Sequence, residues 1–504
     1  MSASINSGFM NKFPLKNLGF NSLNTLKLPL KVHELLEYLR SKDFDVYLVG
    51  GFVRDLFCDI ESKDLDFILT DKKTLELGKE LENKFSGNSF LLDDETQTLR
   101  FVFNDDMLKE FTFDFTSVPK DKLYLDLERR DFTFNALAIN LKEPGFVIDL
   151  FNGINDLKRK HVKAIKLTNL LDDPLRFIRA FRFEALLKGE LEESLNSFIK
   201  DNLDHFDDEV SVERITVELW KIFDTDNSFS YVKQLADVGL LEKIIPELAH
   251  CKKVPPNDHH HLPLFDHSIE LVKTFEENYC KIPDWAQEIL NKPIGLSSSP
   301  KIKGVTKLAS ILHDIGKPDT WEVKEINGTQ KHTFYGHDKL GEEITEKIGE
   351  RLKFSNAITH LISKLVRYHL RPFQLSQNDA PITSRALYRF FRDVGDETIP
   401  LLMLSLADLW ATRGPKISED DLKKNEKLVM YLFDEYKKYH EEKRVKDKKK
   451  KLIDGNEVMQ ITGLKPSPII GQILIELDEA IAVGEVSSKD EAKDWILKKL
   501  STLK

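Results

Sequence analysis

Cysteine is scarce in this sequence. The chain of 504 residues contains only three, Cys58, Cys251 and Cys280, and they lie far apart. Three widely separated thiols exclude a disulfide framework and a cysteine-rich zinc site. The cysteine usage therefore predicts a protein of a reducing compartment, and we expect a cytoplasmic location.

Long apolar runs and acidic N-terminal residues are also missing. No stretch approaches the ~20 apolar residues that span a bilayer, so we expect no contact with a membrane. Residues 1–33 contain neither acidic residues nor arginine. Because transit peptides usually carry arginine, we interpret residues 1–30 as an N-terminal extension. The net charge of −10 argues only weakly against a nucleic-acid partner, since binding depends on where basic residues cluster.

The remaining sequence shows two kinds of periodicity. Short β-branched or aromatic segments separated by polar turns occupy residues 46–151, and they predict a small mixed or antiparallel sheet. From about residue 171 onward, apolar residues recur at three- and four-residue intervals, which is typical of helices. We therefore predict an α+β chain, with an N-terminal sheet domain followed by all-helical regions.

One segment of the sheet region has the composition of a phosphate site. A predicted strand runs into Gly50-Gly51, where absent side chains allow backbone N–H groups to approach an anion. Arg54 lies one turn into the helix that follows. Asp64 and Asp66 alternate on the next strand and share one face, an arrangement that suits Mg²⁺ together with a triphosphate.

Several motifs in a fixed order resemble bacterial-type tRNA nucleotidyltransferases and the related poly(A) polymerases. They span roughly residues 30–250 and comprise GGFVRDLF, KDLDF, RRDFTFNALAIN, DDPLRFIRAFRF and ERITVELWKIF. The resemblance implies catalytic magnesium on Asp64 and Asp66. It further implies that the nucleotide is contacted by Gly51, Arg54, Arg130, Asp131, Asn135, Asp173, Arg176 and Arg179.

The same resemblance implies how the incoming base is selected. Asp173 and Arg176 would face its Watson–Crick edge, because a carboxylate accepts hydrogen bonds while a guanidinium donates them in a fixed plane. Two departures from the family pattern stand out: Asp172 replaces the usual glutamate, and the segment between residues 116 and 127 is short. Family members that add C-C-A carry a longer loop there, whereas the short form resembles enzymes adding only two cytidines. Asp114 is either a third catalytic carboxylate or an edge-strand residue.

A second constellation of histidines and carboxylates lies between residues 264 and 415. His267, the adjacent pair His313-Asp314, and Asp408 each fall on a helix-like segment. Histidine and carboxylate ligands suit divalent transition metals. This block resembles the HD-domain phosphohydrolases, which implies that these four residues bind metal. It also implies that His337 and His369 support a second metal and that Lys317 lies near the phosphate. These assignments leave open whether the site turns over substrate.

Together the motifs predict an enzyme that adds C, A or both to tRNA 3′ ends from CTP and ATP and releases pyrophosphate. Two alternatives remain: a poly(A) polymerase of the same family, and an HD phosphohydrolase with an RNA-binding head. The expected organisation is an extension (1–30), a nucleotidyltransferase head (31–165), a helical neck (166–255), an HD domain (256–420) and a helical tail (421–504).

Overall fold

The computed structural model describes residues 12–19, 23–93, 97–206, 210–257, 261–296, 299–326, 329–375, 381–446 and 452–503. The chain divides into two compact units. The first comprises Met1–Glu218 with Asp237–Leu240, and the second comprises Leu219–Ala236 with Leu241–Lys504. The boundary therefore falls inside the region that the sequence predicted as a neck.

The first unit is organised around an eight-stranded mixed sheet, which confirms the predicted α+β class. The strand order is β1-β8-β7-β2-β3-β6-β5-β4, and only the β3–β6 pairing is parallel. The strands are β1 Lys12–Pro14, β2 Val46–Val49, β3 Asp64–Thr70, β4 Gly87–Asp93, β5 Thr98–Phe103, β6 Thr112–Val118, β7 Ala138–Asn140 and β8 Phe146–Ile148.

Alternation along these strands explains why the sheet forms. Phe67, Phe101, Phe113 and Phe115 point to one face and are fully buried, and the rings of Phe67 and Phe115 stack with centroids 5.0 Å apart. Such aromatic pairs add stabilisation beyond the area that they bury. The polar residues between them, including the two aspartates of β3, consequently point to the opposite face.

The N-terminal segment is not a free extension in its described part. Lys12–Pro14 form β1, which pairs antiparallel with β8 at one end of the sheet. Leu15 and Leu23 are buried. These apolar side chains are too widely spaced in the sequence to form a recognisable periodic pattern, although they are buried in the structure.

Helices surround this sheet and continue beyond it. In the first unit they are α1 Leu30–Arg40, α2 Gly51–Cys58, α3 Thr74–Lys84, α4 Leu123–Glu128, α5 Gly153–Arg159, α6 Asn169–Asp172, α7 Leu175–Leu187 and α8 Glu193–Asp201. The boundary passes through α9 Val212–Phe223 and α10 Ser228–Val238. A short parallel pair, β9 His161–Val162 and β10 Glu190–Leu191, lies beside α7.

In its described residues the second unit is helical apart from one hairpin, β11 Glu322–Ile326 and β12 Thr329–Thr333. Helices α13, α15, α18 and α21 pack against one another and form its core. Its helices are α11 Leu240–Ile244, α12 Leu248–Cys251, α13 Leu264–Asn278, α14 Asp284–Leu290, α15 Ile302–Leu312, α16 Lys317–Thr320, α17 His337–Arg351, α18 Asn356–Tyr368, α19 Arg371–Gln374, α20 Ser384–Val394, α21 Thr398–Ala411, α22 Glu419–Lys446, α23 Gly455–Thr462, α24 Pro468–Ala482 and α25 Lys489–Leu503.

Among the residues that the structure describes, no helix combines the length and the apolar character that crossing a bilayer requires.

Candidate functional site

The turn between β2 and α2 brings three chemical groups together. Gly50 has φ +74°, and a Cβ added there would lie 2.9 Å from Nη1 of Arg130 and 3.3 Å from Oδ2 of Asp66. Any other side chain would therefore be strained and would collide with both groups. The glycine allows the start of α2, a basic side chain and a carboxylate to meet at one point.

Asp64 and Asp66 lie on β3, in the middle of the sheet. Asp66 is in register with Val49 of β2 on one side and with Asp114 of β6 on the other. Thr112 donates a hydrogen bond of 2.5 Å to Asp64. Burial raises the pKa of Asp66 to about 6, and the neighbouring aspartates add to this effect against the opposing charge of Arg130. A cation bound here would relieve that destabilisation of the ionised carboxylate, so the pair fits a metal ion.

Asp114 has a partner of its own. Both of its oxygens accept hydrogen bonds from Arg100, from Nε and Nη2, at 2.7 Å each. This bidentate geometry is the strongest form of a carboxylate–guanidinium contact. It holds Asp114 beside Asp66, and the hydrogen bond to Asp114 raises the pKa of Arg100.

A cleft of about 230 Å³ is lined by Asp126, Arg129, Arg130 and Arg176. Asp126 orients the neighbouring arginine by accepting from Nε and Nη2 of Arg129 at 3.0 and 2.6 Å. Three guanidinium groups against one carboxylate leave the cleft basic, which suits a polyphosphate. The resemblance pointed to Arg130 and Arg176, whereas Arg129 and Asp126 were missed, although both adjoin the RRD motif.

Four other predicted nucleotide contacts form a connected polar network within the head. Nη1 of Arg54 donates to Oδ1 of Asn135 at 2.8 Å, and Nδ2 of Asn135 donates to Asp131 at 2.8 Å. Arg179 donates to the other oxygen of Asp131 at 2.8 and 2.6 Å. Arg54, Asp131 and Asn135 are buried. The network therefore fixes the geometry of the site.

The charge of Asp131 is held firmly in this network. Burial alone would raise its pKa, but Arg179, the Asn135 amide and the backbone N–H of Phe132 together lower it to about 2. A buried carboxylate with this many donors stays ionised, so Arg179 keeps a fixed position.

Asp173 and Arg176, both predicted to face the incoming base, have different hydrogen-bond partners in the structure. Arg214 of α9 donates to the two oxygens of Asp173 at 3.4 and 2.7 Å. Arg176 donates instead to the carbonyl oxygens of Arg129 and Asn169, at 3.1 and 2.5 Å. The guanidinium that pairs with Asp173 therefore comes from a helix some 40 residues further along the chain. The ERITVELWKIF motif contains this arginine, which sequence reasoning did not single out.

The second unit brings the predicted HD residues into two adjacent groups of possible ligands. In the first, Nε2 of His267 lies 3.1 Å and Nε2 of His313 lies 3.8 Å from Oδ1 of Asp408. The three ligand atoms offered by these residues fall within 4.8 Å of one another. The residues come from α13, the end of α15 and α21, which are helices of the core.

The second group contains Asp314, His337 and His369, also with ligand atoms within 4.8 Å. Oδ1 of Asp314 lies 3.3 Å from Nε2 of His337 and 3.5 Å from Nε2 of His369. Lys317 contacts the other oxygen at 2.5 Å. Burial would raise the pKa of Asp314, but His313 and Lys317 hold it well below its usual range.

The geometry of the histidines fits metal binding. Nδ1 of His313, His337 and His369 lies 2.7–2.8 Å from the backbone carbonyls of Ser310, Phe334 and Val366. A carbonyl only accepts, so each Nδ1 carries a proton and each Nε2 faces the carboxylates. Nε2 of His313 and Oδ1 of Asp314 have no hydrogen-bond partner and are buried. Imidazole nitrogens and carboxylate oxygens that converge in this way could hold a metal ion.

A pair of aspartates beside a glycine turn in the first unit, and two clusters of histidine and carboxylate groups in the second, are arranged as in a nucleotidyltransferase head followed by an HD domain. Comparison with known families agrees with this division. Residues 46–163 match the Poly A polymerase head domain, residues 190–252 match the probable RNA and SrmB-binding site of polymerase A, and residues 265–411 match the HD domain. These ranges fall inside the predicted head, neck and HD regions.

Relatives match along nearly the whole chain. The A-adding tRNA nucleotidyltransferase of Deinococcus radiodurans is 31% identical over 454 residues, which is 89% of this chain and 94% of that protein. The CC-adding enzyme of Thermus thermophilus is 29% identical over 457 residues, or 90% and 93%. A CCA-adding enzyme solved with CTP shares the fold, with a TM-score of 0.64, 20% identity and coverage of 97% and 99%. This chain belongs to the tRNA nucleotidyltransferase and poly(A) polymerase family, as its motifs predicted.

Proposed function

We propose that this protein extends the 3′ end of tRNA with nucleotides taken from CTP, from ATP or from both, and releases pyrophosphate. The observation that carries the proposal is the Gly50 turn, where Asp66 and Arg130 converge. Relatives named for this activity, which match nine tenths of the chain, support it. The tRNA 3′-hydroxyl attacks the α-phosphorus, and the bond to pyrophosphate breaks.

The residues of the head have different proposed roles according to their positions. Asp64 and Asp66 would hold magnesium, and the bound ion would supply positive charge to the attacking hydroxyl and to the leaving pyrophosphate. Arg129, Arg130 and Arg176 line the cleft and orient the triphosphate. The network behind them fixes their geometry, and a preorganised site of this kind avoids reorganisation during the reaction.

We further propose that Asp173 and Arg214 read the incoming base. Arg214 is exposed and holds Asp173 in a defined orientation, while Asp173 keeps acceptor capacity for a base amino group. The nucleotide contacts of Gly51 and Arg54 assigned by resemblance belong to the same proposal. Gly51 is the first residue of α2 and offers its backbone N–H group. Arg54 donates a hydrogen bond to the side chain of Asn135.

The connection between β6 and α4 favours cytidine addition. Only Pro119 and the 3₁₀ turn Lys120–Lys122 separate the two elements, so the long loop expected of enzymes adding all of C-C-A is not there. We therefore propose CC addition as the specificity. The two relatives named above are an A-adding and a CC-adding enzyme, so this choice depends on the short connection.

An extension assay tests the proposal. tRNAs ending before the first C, after CC and after CCA are incubated with CTP alone, ATP alone and both. CC addition predicts two cytidines on the first substrate and no product on the second. Long adenylate tails would identify a poly(A) polymerase instead. Extension that survives Asp64→Ala unchanged would contradict the catalytic role of Asp64.

We propose that the HD centre binds one or two divalent transition metals through His267, His313, Asp408 and through Asp314, His337, His369. Converging imidazole and carboxylate groups suit such ions. A metal there would activate water for phosphoester hydrolysis, with Lys317 beside the phosphate. Elemental analysis of the purified protein, with His313→Ala and Asp314→Ala as comparisons, tests the binding. Unchanged metal content in both variants would contradict it.

A further inference from the structure

A row of four side chains crosses the catalytic sheet from its centre to one edge. Asp66 of β3 is in register with Asp114 of β6, Asp114 with Arg100 of β5, and Arg100 with Phe90 of β4. Side chains that are directly opposite on neighbouring strands share a face. The row therefore begins at the proposed metal site and ends at an aromatic ring.

The end of this row is open. Phe90 is 49% exposed, although it lies within a regular strand of the main sheet. The opposite face of the same strands is covered by α3, since a Cβ on Gly78 of that helix would lie 2.7 Å from Leu99 and 2.8 Å from Ser89. An aromatic side chain on the uncovered face is not needed for packing against α3. Its ring remains available to a ligand.

The reaction itself indicates which ligand lies on this side. In phosphoryl transfer the attacking and leaving oxygens are roughly in line, on opposite sides of the phosphorus. Gly50 and Arg130 lie on the β2 side of Asp66, so the leaving pyrophosphate belongs there. The attacking 3′-hydroxyl must then approach from the β6 side, and the RNA behind it extends across β5 and β4.

We propose that the β5–β4 surface, formed by Arg100 and Phe90, binds the single-stranded 3′ end of the acceptor RNA, with one base stacked on Phe90. This inference rests on the proposed function. Three strand spacings place Phe90 roughly 14 Å from Asp66. At this distance, the base stacked on Phe90 belongs to a nucleotide upstream of the reacting 3′ nucleotide. Arg100 lies between them in an ion pair with Asp114 that leaves this stretch of the surface without a net negative charge, and base–aromatic stacking tolerates any sequence.

Steady-state kinetics on the full-length protein tests the proposal. tRNA lacking its 3′-terminal CCA is varied at saturating CTP, and CTP is then varied at saturating tRNA. Phe90→Ala should raise KM for tRNA about tenfold, the effect of one lost stacked base, and leave KM for CTP unchanged. Phe90→Tyr should restore the wild-type value because it keeps an aromatic ring. Phe90→Leu should not, although it keeps an apolar side chain.

Phe146→Ala is the matched control. Phe146 is 42% exposed and lies on β8, towards the other end of the same sheet. Its removal should leave both KM values unchanged. The proposal is overturned if Phe90→Ala leaves KM for tRNA unchanged, if both KM values rise together, or if Phe90→Leu behaves as wild type.

Binding measured without turnover separates this inference from the proposed function. Fluorescence anisotropy of a labelled acceptor-stem RNA in the absence of nucleotide reports the dissociation constant alone. If the wild-type protein extends no RNA with any nucleotide, the proposed function fails, whereas the anisotropy still tests Phe90. If extension occurs and Phe90→Ala binds the RNA as wild type does, only the surface assignment fails.

Discussion

The surroundings of Asp66 make the ionised form of its carboxyl group costly, yet the proposed chemistry requires that ionised form. Burial and two nearby carboxylates raise its pKa to about 6, while Arg130 offsets part of the effect. A group whose charge is costly in the free protein gains most from a bound cation, because the cation removes the cost. The destabilised carboxylate is thus a feature expected of a metal site.

Neutral substitution at either β3 aspartate should therefore abolish nucleotide addition. Asp64→Asn and Asp66→Asn are each expected to lower the rate on the order of 1,000-fold, since one metal ligand and its electrostatic contribution are lost. RNA binding should persist in both. Asp59→Asn is the control, because Asp59 is exposed and directly follows helix α2. Near-normal turnover in either β3 variant would remove that aspartate from the mechanism.

Asp131 should make the stability of the head depend on pH. Its pKa of about 2 lies below the value expected in an unfolded chain, so its stabilising effect is complete above pH 4 and is lost as the pH falls towards 2. The contribution is about 2 kcal/mol. In urea titrations, the stability gap between wild type and Asp131→Asn should be constant from pH 5 to 7 and shrink below pH 4. Exposed Asp121→Asn should show no such trend.

Arg214 offers a test of base selection. Arg214→Gln releases Asp173 from its bidentate partner, so the preference for CTP over ATP should fall about tenfold, the typical worth of one directed hydrogen-bonding pair. The ratio of kcat/KM for the two nucleotides measures this. Arg40→Gln, on the remote helix α1, is the control because its partner Glu37 is exposed. An unchanged ratio in Arg214→Gln would show that Asp173 does not depend on Arg214.

Sequence reasoning was most successful for residues whose spacing is local. Asp64 and Asp66 share a face because strands alternate, and β3 shows this directly. The pairing of Asp173 with Arg214 could not be foreseen in the same way, because it depends on how the start of α9 packs beside the start of α7. Arg54 was expected at the triphosphate, but its donors contact Asp55 and Asn135. Such competition between partners is decided by packing.

At the scale of elements, the tail helix α24 is joined to α20 by a buried carboxylate. The side chain of Glu479 is 4% exposed, and Arg389 contacts both of its oxygens at 2.8–3.0 Å. Arg385 of α20 lies 2.8 Å from the same group. An ionised group this deeply buried must keep its partners, so the contact specifies where the tail helix packs.

Glu479→Gln should therefore loosen the tail. Loss of the charge leaves the partly exposed guanidinium groups of Arg385 and Arg389 without their buried anionic partner, at a cost of about 2 kcal/mol. Amide hydrogen exchange in α24 should accelerate, while nucleotide addition by the head changes little. Glu485→Gln is a matched control, because it removes an exposed partner of Arg385 worth less than about 1 kcal/mol. Equal exchange in the two variants would contradict this role of Glu479.

The elements themselves were predictable where a periodic or capping signal exists. The tail helix begins at Pro468, as proline at a first helical position indicates. Strand β4 was missed because GNSFLLD opens with glycine and asparagine, residues that are rare in strands. It forms because pairing with β5 and packing of α3 outweigh that weak preference. The β11–β12 hairpin was missed for a similar reason, since its strands are charged and exposed.

At the scale of the whole molecule, the two proposed chemistries draw on separate stretches of chain. The groups proposed for nucleotide addition lie between Gly50 and Arg214, in the first compact unit. The HD groups lie between His267 and Asp408, in the second. No residue is shared between the two sets. A substitution in one set should therefore leave the residues of the other site intact.

Replacing an HD ligand should therefore separate the two activities. His313→Ala removes an imidazole whose Nε2 is buried without a hydrogen-bond partner, so bound metal and any phosphoesterase activity should fall together. Cytidine addition should keep its wild-type kcat and KM. The reciprocal variant Asp66→Asn should lose addition and retain HD metal, measured by elemental analysis. His250→Ala, an exposed histidine in the same unit, controls for general effects. A matching loss of cytidine addition in His313→Ala, with the protein still folded by circular dichroism, would show that the HD centre supports the head reaction.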